Sequence, residues 1–296
     1  MSIGYACIAL GLKDSAMRGC VLKNARPEKL NELIAMNLNT LGRILEYNLY
    51  NGIRLFRISS GIIPFGSHPV NRSRWWEMYE EDLRQLGDKI KRWGMRVSMH
   101  PGQYTVLNSP DKDTVQKAIS DLEYHGRFLD SLGLGLQHKI ILHLGGIYGD
   151  RSIAMKNFIN NYGLLSENTQ KRLVLENDEK YDVREVLTAA SFLDIPVVFD
   201  VFHHSVNPAP ECTGEYEWIN ACRNTWKAED GRQKLHYSQQ EPGLKAGAHS
   251  RTIQIDEFIN FYKGLPIPQP DIMLEVKDKD LSALKCIAAI NQIKGD

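Results

Sequence analysis

The sequence lacks a net charge. Its 36 lysines and arginines face 36 aspartates and glutamates, so there is no basic excess of the kind that holds nucleic acid or anionic membrane by bulk electrostatics. Any contact with a polyanion must be local. A cysteine framework is also missing: Cys7, Cys20, Cys212, Cys222 and Cys286 are odd in number and contain no CxxC pair. Neither a disulfide scaffold nor a zinc ribbon is suggested, and a reducing cytoplasm fits. No run approaches the ~18 apolar residues of a membrane span, and the apolar opening from Ser2 to Leu12 has no basic segment before it, so neither export nor insertion is expected. No low-complexity tract, longer repeat or composition shift marks a linker. What remains is a chain of 296 residues, 43% hydrophobic, long enough to bury a sizeable core as a single domain over 1–296.

Short β-branched or aromatic runs alternate with amphipathic stretches along the whole length, the βαβα pattern of a parallel sheet with helices outside. Strands are predicted over Ile3–Leu10, Leu55–Ser59, Arg96–His100, Lys139–Leu144, Leu173–Asn177, Pro196–Val201, Lys234–Tyr237 and Asp271–Val276. Helices are predicted over Pro27–Asn51, Trp75–Trp93, Asp113–Leu132, Ser152–Leu165, Val183–Leu193, Glu215–Trp226, Asp256–Tyr262 and Leu281–Ile293. Proline opens the first helix, and Gly52, Gly94 and Gly133 follow helix ends. Eight successive units point to an α/β fold, a (β/α)8 barrel of the TIM type, whose sites gather at the carboxyl ends of the strands. A doubly wound open sheet is the competitor, but no GxGxxG follows the first strand. The longest loop runs from Ser238 to Ile255, on the side expected to be functional.

Position is the signal in the histidines. Six of the nine, His68, His100, His143, His203, His236 and His249, fall at or just beyond strand ends, joined at the same level by Glu176, Asp200 and Glu275. A lone strand-end histidine is more often hydrogen-bonded structure than a ligand. Nine such residues at one mouth change the weighing, because three convergent carboxylates repel one another unless cations offset them, and imidazole with carboxylate is a usual N/O set for Zn or Mn. Asp200 and His203 form a DxxH spacing that can serve one ion. His138 opens a strand at the opposite face, His125 lies on a helix and His204 points elsewhere, so these three are set aside. Lys234 shares a strand face with His236. An inward ammonium beside cations should lose its proton, pair with an anion, or become a carbamate that binds metal; a lysine reaching past the rim into solvent is the plainer alternative.

Several ordered stretches carry a family resemblance over nearly the whole chain: Gly4-Tyr5-Ala6-Cys7, Phe56-Arg57-Ile58-Ser59, Ile63 to Pro69, Ser98-Met99-His100-Pro101-Gly102-Gln103-Tyr104, His143-Leu144-Gly145-Gly146, Leu175-Glu176-Asn177-Asp178, Asp200 to His204 and Gly247-Ala248-His249. They resemble the ultraviolet damage endonucleases of the UvdE family, barrels related to the endonuclease IV class. The resemblance implies hydrolysis of the phosphodiester bond immediately 5′ to cyclobutane pyrimidine dimers, 6-4 photoproducts and abasic sites, leaving a 3′-hydroxyl and a 5′-phosphate. It implies a cluster of up to three divalent metals, most often Mn2+, with Zn2+, Mg2+ or Co2+ as alternatives, on the same nine ligands. Lys234 falls on a carboxylated lysine of the family, and Glu176 on a bridging carboxylate that orients the attacking water. Gln103 and Tyr104 fall on a pair that probes the duplex and fills the gap left by an extruded lesion, and Tyr5 on a lesion-pocket residue. Ala9 departs from a frequent asparagine, which bears on the range of lesions accepted. Arg57, Lys13, Arg18, Lys23 and Arg251 are candidate phosphate contacts. The expected partner is lesion-bearing double-stranded DNA, met by a cytoplasmic monomer. Metals at the mouth and a carboxylated Lys234 would turn the neutral chain into one formally about four units positive there, so that its attraction to DNA falls with salt.

Two other readings fit the same barrel. A metal-dependent sugar isomerase or epimerase would need fewer ligands and a closed pocket in place of Gln103 and Tyr104 on an open loop. A lesion-binding protein with a structural metal cluster would bind irradiated DNA without nicking it.

Overall fold

The eight predicted strands form eight parallel strands that close on themselves in chain order. The structure is a computed structural model that describes residues 1–211 and 213–295, so Cys212 lies outside the described residues. The strands are β1 (Ile3–Ala6), β2 (Leu55–Ile58), β3 (Arg96–Met99), β4 (Lys139–His143), β5 (Leu173–Glu176), β6 (Val197–Asp200), β7 (Lys234–Tyr237) and β8 (Asp271–Leu274). Closure runs through β1 and β8, where Ile3 pairs with Ile272 and Tyr5 with Leu274. This is the (β/α)8 barrel that the eight-unit pattern called for. β1 is shorter than its apolar run because Cys7 takes φ 70, turning the chain out of the sheet at the mouth.

Helices α1 (Pro27–Tyr50), α2 (Trp75–Met78), α3 (Glu80–Arg92), α4 (Lys112–Ser131), α5 (Arg151–Tyr162), α6 (Glu167–Arg172), α7 (Val183–Leu193), α8 (Val201–Val206), α9 (Glu215–Arg223), α10 (Ile255–Gly264) and α11 (Asp280–Gly295) cover the barrel. The single helix predicted from Trp75 to Trp93 is broken at Tyr79, whose hydroxyl donates to the Asn31 carbonyl. Two short helices, α6 and α8, had no counterpart among the predicted elements. Gly52, Gly94 and Gly133 all take positive φ just beyond helix ends, the left-handed position that glycine fills without strain. Among the described residues no helix is long and apolar enough to cross a membrane.

The main core lies between strands and helices. Leu41, Ile44, Phe128, Phe158 and Phe258 are fully buried there, each contributing ~1.5–3 kcal/mol of apolar transfer. Inside the barrel, Ile141, Val174 and Val198 form a separate small cluster. These residues stand two positions before His143, Glu176 and Asp200, so by strand alternation they form an apolar floor under the three polar side chains. Below the floor, at the amino ends of the strands, Arg96 meets Asp271 at 3.2 Å and Lys139 meets Asp230. His138 sits at this opposite end too, its Nδ1 accepting the Val97 N–H at 3.1 Å.

Candidate metal centre at the barrel mouth

Glu176 ends β5 and is almost completely buried. Its two oxygens face different neighbours. Oε2 lies 3.0 Å from Nε2 of His100 and 3.2 Å from Nε2 of His143, while Oε1 meets Nδ1 of His236. The β4–β5 register places His143 directly beside Glu176, and the β6–β7 register places Asp200 beside His236. Short strands with matched register thus bring residues far apart in sequence to one level. Two sets of potential ligand atoms result: His100, His143 and Glu176, and Glu176, Asp200, His236 and Glu275, each lying within 4.8 Å of one another.

The DxxH spacing has a local cause. Asp200 caps α8, its Oδ1 accepting the His203 N–H at 2.6 Å, as aspartate does at helix starts. This leaves Asp200 Oδ2 buried with no hydrogen-bond partner. His203 is held by its Nδ1, 3.0 Å from the Asn177 carbonyl, and its ring stands edge-on to His143 and His249. His249 is held in the same manner, Nδ1 lying 2.8 Å from the Glu275 carbonyl. In both rings Nε2 is the nitrogen left for a ligand, the usual outcome when a backbone oxygen takes Nδ1. His68 is exposed at the rim and belongs to neither set. Its Nδ1 accepts the Val70 N–H at 3.1 Å.

The electrostatics follow from crowding. Burial alone would raise the Glu176 carboxyl, but His236, His100 and His143 hold it well below the usual range. Asp200 lacks equivalent help: burial pushes it up to about 7, helped by repulsion from Glu176 and Glu275 and opposed by His203. Burial drives His236 down to about 4 in spite of the same carboxylates. His203 goes the other way, up to about 9, because Asp200 and Glu176 overcome its burial. Imidazoles, carboxylates and an orphaned buried carboxylate oxygen suit a divalent cation, which would satisfy the oxygen and remove the repulsion.

Two sequence-based expectations need correction, and for Lys234 the plainer of two alternatives falls away. Tyr5 was expected in a lesion pocket, but it is fully buried in the barrel wall, its ring against Phe56 and its hydroxyl donating to Asn48 at 2.7 Å. Its register partner is Phe56, so it faces α1 and not the mouth. Arg57 was expected to contact phosphate, but it is buried, with Nη2 donating to Glu275 Oε1 and lying 3.0 Å from His236 Nε2. It serves as the internal counter-charge of Glu275. Lys234 does not reach past the rim: it is fully buried, and its Nζ has no hydrogen-bond partner. Burial and the neighbouring Arg96 and Arg57 hold its pKa well below that of a free lysine.

A cavity of about 520 Å3 opens above the cluster, lined by His100, His143, His203 and His249, with Gln103 on its edge. Tyr104 is 73% exposed, its ring lying over Gly102, where a Cβ would overlap it. Lys13, Arg18, Lys23 and Arg251 are exposed and lie outside this lining, Lys23 within a 3-10 turn. Sequence reasoning missed three residues that line it: Asp178, whose Oδ2 lies 3.4 Å from His143 Nδ1, and two exposed lysines, Lys180 and Lys245. Asp178 and Lys180 could have been suspected from their place just after Glu176. Lys245 had no signal beyond its position in the longest loop.

The UV-endonuclease UvdE family model matches residues 1–295. The UV DNA damage endonuclease of Clostridium perfringens is 44% identical over 300 residues, a match that covers 99% of this chain and 71% of that protein. Among solved structures, the crystal structure of SacUVDE superimposes with a TM-score of 0.94 at 38% identity, covering 99% of both chains. Endonuclease IV from Thermus thermophilus shares the fold alone, with a TM-score of 0.63 and 13% identity over 98% of this chain and 99% of the other. With one family matched along the whole barrel, strand ends and cluster included, this chain belongs to the UV-endonuclease UvdE family.

Proposed function

We propose that the chain hydrolyses the phosphodiester bond immediately 5′ to cyclobutane pyrimidine dimers, 6-4 photoproducts and abasic sites in duplex DNA, in a metal-dependent reaction that leaves 3′-hydroxyl and 5′-phosphate ends. Membership of the UvdE family makes it a DNA-repair endonuclease. The observation that carries the finer reading is Glu176, the one residue common to both ligand sets, with one oxygen turned to each. A carboxylate so divided is suited to bridging. His68, His100, His143, Glu176, Asp200, His203, His236, His249 and Glu275 are assigned as the ligands of up to three ions, Mn2+ foremost. Such ions, when bound, acidify water and offset charge developing on phosphate.

The chain's own groups do the rest. Asn177 and Glu275 backbone carbonyls fix the His203 and His249 rings, Asp178 steadies His143, and Arg57 orients Glu275. Glu176 would also orient the attacking water. Lys234, with its unpartnered Nζ, is suited to add to carbon dioxide and lose a proton, giving a carbamate that carries a negative charge toward the cluster. Gln103 lines the cavity and Tyr104 next to it is exposed, so both would meet an approaching duplex, and Lys180 and Lys245 would contact its phosphates. One barrel domain acting as a monomer, in the cytoplasm at the nucleoid, suffices for this chemistry. The test is nicking of irradiated and intact duplex by the purified chain with Mn2+: cutting confined to irradiated DNA, at the 5′ side of the lesion, is expected, and equal cutting of both would overturn the lesion specificity.

A further inference from the structure

We infer that Asp121, on α4 and outside the metal cluster, is a positioning residue that ties the loop bearing Gln103 and Tyr104 to the loop bearing His68. This rests on the proposed role of Gln103 and Tyr104 at the lesion. Both oxygens of the Asp121 carboxylate are engaged, one on each loop. Oδ1 accepts from Ser67 Oγ at 2.9 Å, next in sequence to His68, and Oδ2 accepts from Thr105 Oγ1 at 2.7 Å, next in sequence to Tyr104. Asp121 and Thr105 are buried. No lysine or arginine pairs with this carboxylate among the described residues, and the buried His125 ring stands off with Nδ1 at 3.9 Å. A buried carboxylate without a cation is costly. Helix packing alone does not require one, whereas joining two hydroxyls from separate loops requires two acceptor oxygens at a fixed angle.

The next turn of α4 repeats the connection. His125 Nε2 lies 2.8 Å from Ser60 Oγ, and that hydroxyl reaches the His100 carbonyl at 2.8 Å. Tyr124 donates to the Ser60 carbonyl at 2.9 Å and accepts the Ile63 N–H at 3.3 Å. One helix face therefore grips the roots of both loops, one after β2 and one after β3. The tips stay free: Gln103 and Tyr104 are exposed, while Thr105 beneath them is locked. Side chains that must enter a duplex gain from such a base, because a loop ordered in advance does not give up its freedom on binding. Losing the Thr105 link should loosen the probing pair, and losing Asp121 should release it from the His68 loop as well.

The experiment uses the full chain and compares Asp121→Ala, Asp121→Asn and the near-isosteric Thr105→Val. Fluorescence anisotropy gives the ratio of Kd for intact to irradiated duplex, and nicking of irradiated duplex separates kcat from KM. Asp121→Ala and Thr105→Val are expected to lower the Kd ratio about tenfold, the worth of one charge-assisted hydrogen bond, with the kinetic loss carried mainly by KM. Asp121→Asn, which keeps one acceptor and gains a donor for the second hydroxyl, should recover most of it. An unchanged Kd ratio in either Asp121→Ala or Thr105→Val overturns the inference, as does a loss that falls on kcat alone. A Gln103→Ala/Tyr104→Ala double variant separates the two ideas. If it loses discrimination while Thr105→Val keeps it, the clamp fails and the probe stands; if it keeps full discrimination, the probe itself fails.

Discussion

At the amino ends of the strands, Lys139 meets Asp230, Arg96 meets Asp271 and Arg172 meets Asp130, and spare donors are taken by the carbonyls of Lys171, Leu134 and His138. At the carboxyl ends, Glu176, Asp200 and Glu275 share one guanidinium, that of Arg57, with a ring of imidazoles. Both ends bury charge, and only a thin apolar floor separates them. The base matches Lys139, Arg96 and Arg172 each to a carboxylate within the protein. The mouth draws three carboxylates together around a single guanidinium, with an orphaned oxygen on Asp200 and an Asp200 pKa displaced upward by its burial and its neighbours. A buried polar cluster that closes on itself serves the fold, whereas convergent carboxylates with an orphaned oxygen suit a divalent cation.

The sharpest test of that contrast is Glu176→Gln. Nicking of irradiated duplex should fall by roughly a thousandfold or more, with damaged-DNA binding retained in an anisotropy assay and the thermal midpoint nearly unchanged. Continued nicking at the normal rate would remove Glu176 from the reaction. At the base the pattern should invert. Asp230→Ala strands the buried Lys139 ammonium and should cost about 3–5 kcal/mol of unfolding free energy in a denaturant titration, while the protein that remains folded keeps its activity.

The base also carries a pH signature. His138 is buried, its Nδ1 must stay unprotonated to accept the Val97 N–H, and burial with Arg96 and Arg172 nearby holds its pKa down at about 3, against an ordinary 6.5. The unfolded chain therefore binds the proton first. This contribution is fully present above pH 6.5 and is lost as pH falls from 6.5 toward 3, at up to about 1.4 kcal/mol per unit. Denaturant melts between pH 4 and 7 should show this slope, and His138→Gln should flatten part of it. The smallest effect is expected at the mouth. In chelator-treated protein, Asp200→Asn should raise stability by roughly 1 kcal/mol by relieving repulsion, whereas the gain that Mn2+ gives the unmodified chain should shrink. If the variant loses stability without metal, the surplus of carboxylate at the mouth is not a source of strain.

Much of the barrel was legible because each strand is short, apolar and bounded by turn residues. β7 matches its predicted span end to end, and the other seven differ only at their ends. The strand-end level of the histidines and carboxylates could also be read directly, since a parallel barrel puts every strand's carboxyl end on one side. α8 was harder to see. Six residues carry no periodicity, and its one mark, Asp200 three residues before His203, has the spacing of a helix cap as well as one that can serve an ion. Tyr5 was misplaced because a resemblance fixes a position in the chain, while which side of the wall a strand residue faces is set by register with Phe56. Asp121 went unremarked because an aspartate within an amphipathic helix looks like an exposed one until both loops are folded over it.

The sequence by itself determined the class of fold, the order of its units and the pool of residues able to bind metal, because hydrophobic period and strand-end position are local properties. Tertiary structure decided which of those residues share an atom's reach. Glu176 stands between two ligand sets, Arg57 is tied to Glu275 and Lys234 lacks a partner for reasons that lie in barrel closure and stagger. Those set the distances between side chains that begin dozens to hundreds of residues apart. Charge makes this difference matter: a carboxylate's pKa and partner depend on what lies within a few ångströms, and no local pattern along the chain encodes that.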